Sequence, residues 1–146
     1  MSEPSQPKPI RGSCLCGGVR FELTGPPLWM SRCHCSRCRK SSGGTVVAVR
    51  ARDFRFVQGA ELVTRYQPPP PYTIVRCFCR VCGTPLGEPE TNPRGFPIAA
   101  VALDDDPGVR LALHEHVAEK PAWYEIDDDL PKFPGHPPGV GGGPAS

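Results

Sequence analysis

The sequence predicts an all-β domain of short antiparallel strands, with little or no helix, held together by metal. Three observations predict it. Leu, Ile, Val and Phe make up only about a fifth of the 146 residues, little above the level at which a chain can fold on apolar burial alone. Sixteen glycines and twenty prolines interrupt the chain too often for long helices. Eight cysteines fall into three tight groups, the pattern of a small domain that supplements its core with bound ions.

The elements follow in chain order. Residues 1–10 and 134–146, rich in Pro, Gly and Ser, read as disordered ends around a single domain over 11–133. Gly18–Thr24 alternates cleanly, with Val19, Phe21 and Leu23 on one face and Arg20, Glu22 and Thr24 on the other. Ser36–Ser41 can form one helical turn ending at Gly43 and Gly44; without an apolar face, whatever its cysteines bind must hold it. Thr45–Arg50, Phe54–Gln58, Glu61–Tyr66, Thr73–Cys77, Pro97–Leu103 and Val109–His114 read as further strands, separated by Gly, Pro or Asp clusters such as Pro68–Pro71.

Composition also bears on partners and compartment. No apolar run approaches the roughly 20 residues of a membrane span. The segment Met1–Pro9 lacks the apolar stretch of a secretory leader, so a cytoplasmic location is expected. A formal charge of +2 is too balanced to argue for nucleic acid or an anionic membrane. A reducing compartment favours metal over disulfides.

The cysteines carry the chemistry. Cys79 and Cys82 flank a knuckle turn in which Gly83 permits the bend, and Cys14 and Cys16, followed by Gly17 and Gly18, form a shorter version. Two such corners meeting at one ion would make a closed four-thiolate site, which is structural. Cys33, Cys35 and Cys38 offer three thiolates and a vacancy, as a catalytic ion needs. Three alternatives stay open: His34 fills the vacancy, Cys77 fills it, or the cluster is a second structural knot. Between two ligands, His34 is expected to point away, and Cys77 is expected to be a small buried hydrophobe. Arg32, Arg37, Arg39 and Lys40 crowd the second cluster. They offset thiolate charge and would also attract an anionic thiol-bearing ligand. Ser36, Ser41 and Ser42 are turn-formers that could reach a developing alkoxide. Asp104–Asp106 and Asp127–Asp129 read as turn and surface acids, and His114 and His116 as structural positions sharing one face of a strand.

Taken together, Gly12, Cys14, Cys16, Gly17 and Gly18, then Cys33 to Lys40, then Phe78 to Thr84, and finally Trp123 to Ile126 with Leu130 to Phe133 resemble one family. It is that of the glutathione-dependent formaldehyde-activating enzymes, which also takes in centromere protein V. The resemblance covers about 11–134. Pro68–Pro71 and the glycine-free Ala100–Leu103 depart from the family pattern. The resemblance implies the Mss4-like fold and two zinc ions per chain. One is structural, at Cys14, Cys16, Cys79 and Cys82. The other is labile and catalytic, at Cys33, Cys35 and Cys38. It also implies carbon–sulfur lyase chemistry joining glutathione, or a similar small thiol, to a small aldehyde to give S-(hydroxymethyl)glutathione. A bound ion with a vacancy would strip the thiol proton and polarise a carbonyl beside it. The rival expectation is a zinc-stapled binding scaffold without catalysis, since structural zinc alone can justify such cysteines. A nucleic-acid zinc module is a third reading and predicts salt-dependent binding.

Overall fold

The computed structural model describes residues 7–138. The expected ends at 1–6 and 139–146 lie outside the described residues. Ten strands and one helix of more than a single turn build the domain: β1 (Ile10–Ser13), β2 (Arg20–Leu23), β3 (Trp29–Cys33), α1 (Ser36–Ser42), β4 (Thr45–Arg50), β5 (Phe54–Gln58), β6 (Val63–Tyr66), β7 (Arg76–Cys79), β8 (Pro85–Gly87), β9 (Gly95–Ala99) and β10 (Leu111–Glu115). The all-β class is as expected.

The strands form two sheets, a small one in the order β1-β2-β5 and a larger one in the order β10-β3-β4-β9-β8-β7-β6. In β2, Phe21 and Leu23 are buried, and Val19 just before it is too. They meet Val47 and Val49 of β4 and Phe96 and Ile98 of β9 in one core that draws on both sheets. Phe54 links the two sheets, stacked on Phe21 (5.3 Å between centroids) and edge-on to Phe96 (5.3 Å). Burying such rings is worth about 1.5–3 kcal/mol each relative to exposure, and it brings the two sheets together.

Ladders within the sheets are antiparallel except one. β10 lies parallel to β3, pairing Glu115 with Cys33 and His114 with Arg32. Parallel neighbours need a long crossover, and here most of the domain lies between them in sequence. β10 therefore returns to the larger sheet beside the cysteine loop that follows β3.

Several strand bounds differ from expectation. β4 and β5 fall where expected, whereas β7 begins at Arg76 and β9 ends at Ala99. Residues 73–75 instead line a cavity, and a single 3-10 turn over Ala100–Ala102 replaces the end of the expected Pro97–Leu103 strand. β1, β3 and β8 carry no clean alternation and went unrecognised. At the edges of the domain, Ile10 already pairs with Leu23, and beyond 133 the Gly135 carbonyl accepts from His116 N (3.0 Å).

Candidate metal centres

Two groups of sulfurs converge. In the first, the turn after β1 is closed by Gly17 N donating to Cys14 O (2.9 Å), and the turn after β7 by Gly83 N donating to Cys79 O (2.8 Å). Gly83 takes φ +79 there, a conformation that disfavours side chains. Cys14, Cys16, Cys79 and Cys82 then place their sulfurs within 4.8 Å of one another. Cys14 and Cys16 are 3.5 Å apart, and Cys16 and Cys79 3.9 Å. A tetrahedral ion with bonds of about 2.3 Å requires sulfur edges of about 3.8 Å. Backbone amides already face the sulfurs, Val19 N at 3.2 Å from Cys14 and Cys16 N at 3.4 Å from Cys82. Thr84 hydroxyl contact, with the amides of Thr84 and Cys16, pulls the Cys82 thiol down to about 5. The donor set fits a divalent cation, and none of these cysteines is bridged.

The second group is Cys33, Cys35 and Cys38, also within 4.8 Å of one another and all buried. β3 delivers Cys33, and the chain turns directly into α1. Cys35 caps that helix, its sulfur accepting from Cys38 N (3.3 Å), and Gly43 ends it in the left-handed conformation. The cysteine that starts the helix thus also receives the amide of the cysteine one turn on. Cys33 donates to Cys35 at 3.4 Å. That bond, with Cys38 and burial, pushes the Cys33 thiol far up. At Cys38 the neighbour Cys33 lowers the thiol, but Cys35 and burial outweigh it and leave it at about 11. Three thiolates packed so closely cannot coexist without a cation, which is the condition a bound ion meets.

His34 and Cys77 stay out of this cluster. His34 is buried and turned the other way, its Nε2 2.8 Å from His114 Nδ1, while His114 Nε2 lies 2.9 Å from Asp128 Oδ2. The carboxylate can only accept, so His114 donates from Nε2, and its Nδ1 is left facing His34 Nε2. Burial, then His114 and Arg32, holds the His34 imidazole down to about 4. This chain fixes the loop between two cysteines from behind. Cys77 is buried beside Arg65 (3.5 Å), and burial pushes its thiol up. Asp128 is thus more than the surface acid expected. His114 and His116 also do not share a face: His116 leaves the strand with φ +54 and turns to Glu119 and His136.

The basic residues expected near the cluster are mostly engaged elsewhere. Arg32 donates to Thr45 and lies over Tyr124, Arg39 donates to the His34 carbonyl, and Arg37 lies over Tyr72. The guanidinium that touches sulfur is Arg76, with Nη1 3.5 Å from Cys38 and 3.7 Å from Glu88. Sequence reasoning missed it, although one arginine inside the apolar run Thr73–Cys77 was the available signal. Burial pushes Glu88 up to about 7 despite Arg76. Ser41 and Ser42 lie inside α1 and not in the turn after it, and their hydroxyls donate to the Arg37 and Cys38 carbonyls one helical turn earlier. Ser31 Oγ, by contrast, is buried with no partner among the described residues.

Cys33, Cys38, Arg76, Glu88 and Ser31 all line one cavity of about 550 Å³, walled otherwise by Trp29, Ile74 and Phe96. A smaller groove of about 230 Å³ adjoins it, sharing Ile74 and Arg76 and lined by Arg37, Lys40 and Tyr72. The arrangement presents two buried sulfurs, a hydroxyl, a carboxyl and a guanidinium to one volume that can admit a small molecule.

Comparison with known proteins adds three findings. Residues 9–119 match the family model of the glutathione-dependent formaldehyde-activating enzyme. A Halomonas elongata protein provisionally named glutathione-dependent formaldehyde-activating enzyme is 34% identical over 127 residues, covering 81% of this chain and 81% of its own. A crystal structure of a Rhodobacter sphaeroides protein, a structural-genomics target, is 31% identical. The match covers 69% of this chain and 91% of that one, with a TM-score of 0.53.

Proposed function

The chain belongs to the family of glutathione-dependent formaldehyde-activating enzymes, and on that premise we propose that it joins a small thiol such as glutathione to a small aldehyde at the Cys33, Cys35 and Cys38 centre. The reaction is of the carbon–sulfur lyase class, with zinc at both cysteine centres. The observation that supports this most is the placement of Cys33 and Cys38 on the wall of a cavity while, among the described residues, no fourth ligand joins the three. Zinc bound there would supply a Lewis acid that favours thiolate over thiol and polarises a carbonyl.

The protein's own groups then have distinct tasks. The thiol sulfur attacks the carbonyl carbon and a C–S bond forms. The C=O π pair moves to oxygen, which takes up the proton the thiol gave away. Glu88, held near neutrality by burial, is the cavity group suited to take that proton and return it. Ser31, buried and unpartnered, offers its hydroxyl to the developing alkoxide. Arg76 balances negative charge at Cys38. Arg37 and Lys40, in the adjoining groove, give the carboxylates of a glutathione-like thiol a basic wall.

The test is the rate at which the zinc-loaded protein forms S-(hydroxymethyl)glutathione from glutathione and ¹³C-formaldehyde, followed by NMR exchange against the uncatalysed rate. Cys38→Ser should abolish the acceleration while leaving the far-UV circular dichroism unchanged. Equal rates in the variant and the unaltered protein would overturn the proposal and leave a zinc-stapled scaffold.

A further inference from the structure

A third group of ligand-type side chains lies apart from both sets of cysteines. Along a strand successive side chains point to opposite faces, so Glu115 and the residue after it should diverge. They do not, because His116 adopts φ 54 and ψ 40, a left-handed conformation uncommon outside glycine. The same turn is tied to the following segment by His116 N donating to the Gly135 carbonyl (3.0 Å), which brings in His136. One ligand atom from each of Glu115, His116 and His136 then falls within 4.8 Å of the other two.

The details of this group are those of a coordination set more than of a hydrogen-bonded cluster. His136 Nδ1 and Glu115 Oε2 are 3.6 Å apart, too far to share a hydrogen bond. Two ligands at about 2.0–2.2 Å from a common ion stand close to this distance from each other. Glu115 is only 12% exposed, and its one ion-pair partner among the described residues is that imidazole, so no fixed cation balances it. His116 Nδ1 lies 3.3 Å from Glu119 Oε2, a carboxylate beside the ring that leaves its other nitrogen unengaged. That other nitrogen, Nε2, is buried with no hydrogen-bond partner among the described residues. The two imidazoles pack edge to face, 4.5 Å between centroids.

We propose that Glu115, His116 and His136 form a third metal site, for a divalent first-row transition ion such as zinc. Two imidazoles and one carboxylate suit such an ion, and three protein ligands leave room for water or another small ligand. Glu115 and His136 also line the cavity that holds Cys33 and Cys38, and Glu115 is the β10 partner of Cys33. The open side of this site therefore faces the same volume as the cysteine centre.

Zinc titration of the full chain, read by native mass spectrometry and by the ring ¹⁵N resonances of its histidines, tests this. The expected result is one equivalent beyond those bound by the two cysteine clusters, with the His116 and His136 ring nitrogens shifting as it binds. His136→Ala and Glu115→Gln should each remove that equivalent, or weaken it at least tenfold, and leave the cysteine-bound ions in place. Saturation at the cysteine equivalents alone, binding only at millimolar zinc, or a further equivalent that survives both substitutions would overturn it. The readout is binding, so its outcome is separate from that of the thiol–aldehyde assay.

Discussion

Arg76 and Glu88 are the residues whose energetics the sequence concealed. A guanidinium and a carboxyl, both nearly buried and 3.7 Å apart, carry a desolvation cost that their attraction only partly offsets. The balance shows in Glu88, which burial pushes from its ordinary range to about 7. In the unfolded chain it would titrate near 4.3. Between these values the folded state binds the proton more tightly, so this carboxyl's contribution to stability is present at lower pH and declines as pH rises toward 7. Glu88→Gln should remove that slope. Urea midpoints measured from pH 4.5 to 7.5 should fall less with rising pH in the variant than in the unaltered chain. His34 shows the complementary economy, since a residue wedged between two candidate ligands is made to serve as the anchor of their loop through His114 and Asp128.

At the scale of elements, legibility followed alternation. β2, β4 and β5 have side chains that alternate between more and less buried positions, and their positions were readable. β1, β3 and β8 are short and carry Gly, Ser, Arg or Pro, and their place is set by neighbours and not by their own pattern. β8 illustrates the point. At Gly87 the backbone takes φ +83, and a Cβ there would lie 2.6 Å from the Ile98 Cα across the β8–β9 pairing. Only a residue without a side chain permits that approach, yet a lone glycine in a sequence gives no hint of which strand will press against it. Gly87→Ala should cost at least about 1–2 kcal/mol from backbone conformation alone, more once the clash displaces β9, visible as a lowered thermal midpoint. Helix α1 was legible for a different reason: the Cys-Gly boundaries marked its ends, and its cap is itself a candidate metal ligand.

For the whole molecule, the first cysteine cluster is a joint between sheets. Cys14 follows β1 of the small sheet and Cys79 ends β7 of the large one. Structural zinc contributes an apparent ~10–16 kcal/mol in small metal-dependent domains, against a typical total stability of about 5–15 kcal/mol. Cys82→Ser, or a strong chelator, should therefore unfold the chain, with loss of the ion proposed there and of the far-UV dichroism signal. Cysteine spacing made both clusters readable as candidate centres, because ligands close in sequence need little from the fold. Glu88, Ser31 and the Glu115, His116 and His136 group draw on distant segments and nothing local announces them, while Arg76 leaves only the trace of one charge inside an apolar run. The parallel docking of β10 on β3 has one more consequence. His114 N and His116 N donate to the carbonyls of Pro131 and Gly135 in the chain's late segment, and Asp128 and His136 arrive with it. During synthesis, then, a centre begun at residue 33 must wait, exposed and unfinished, for residues 128–136 before its last wall can close.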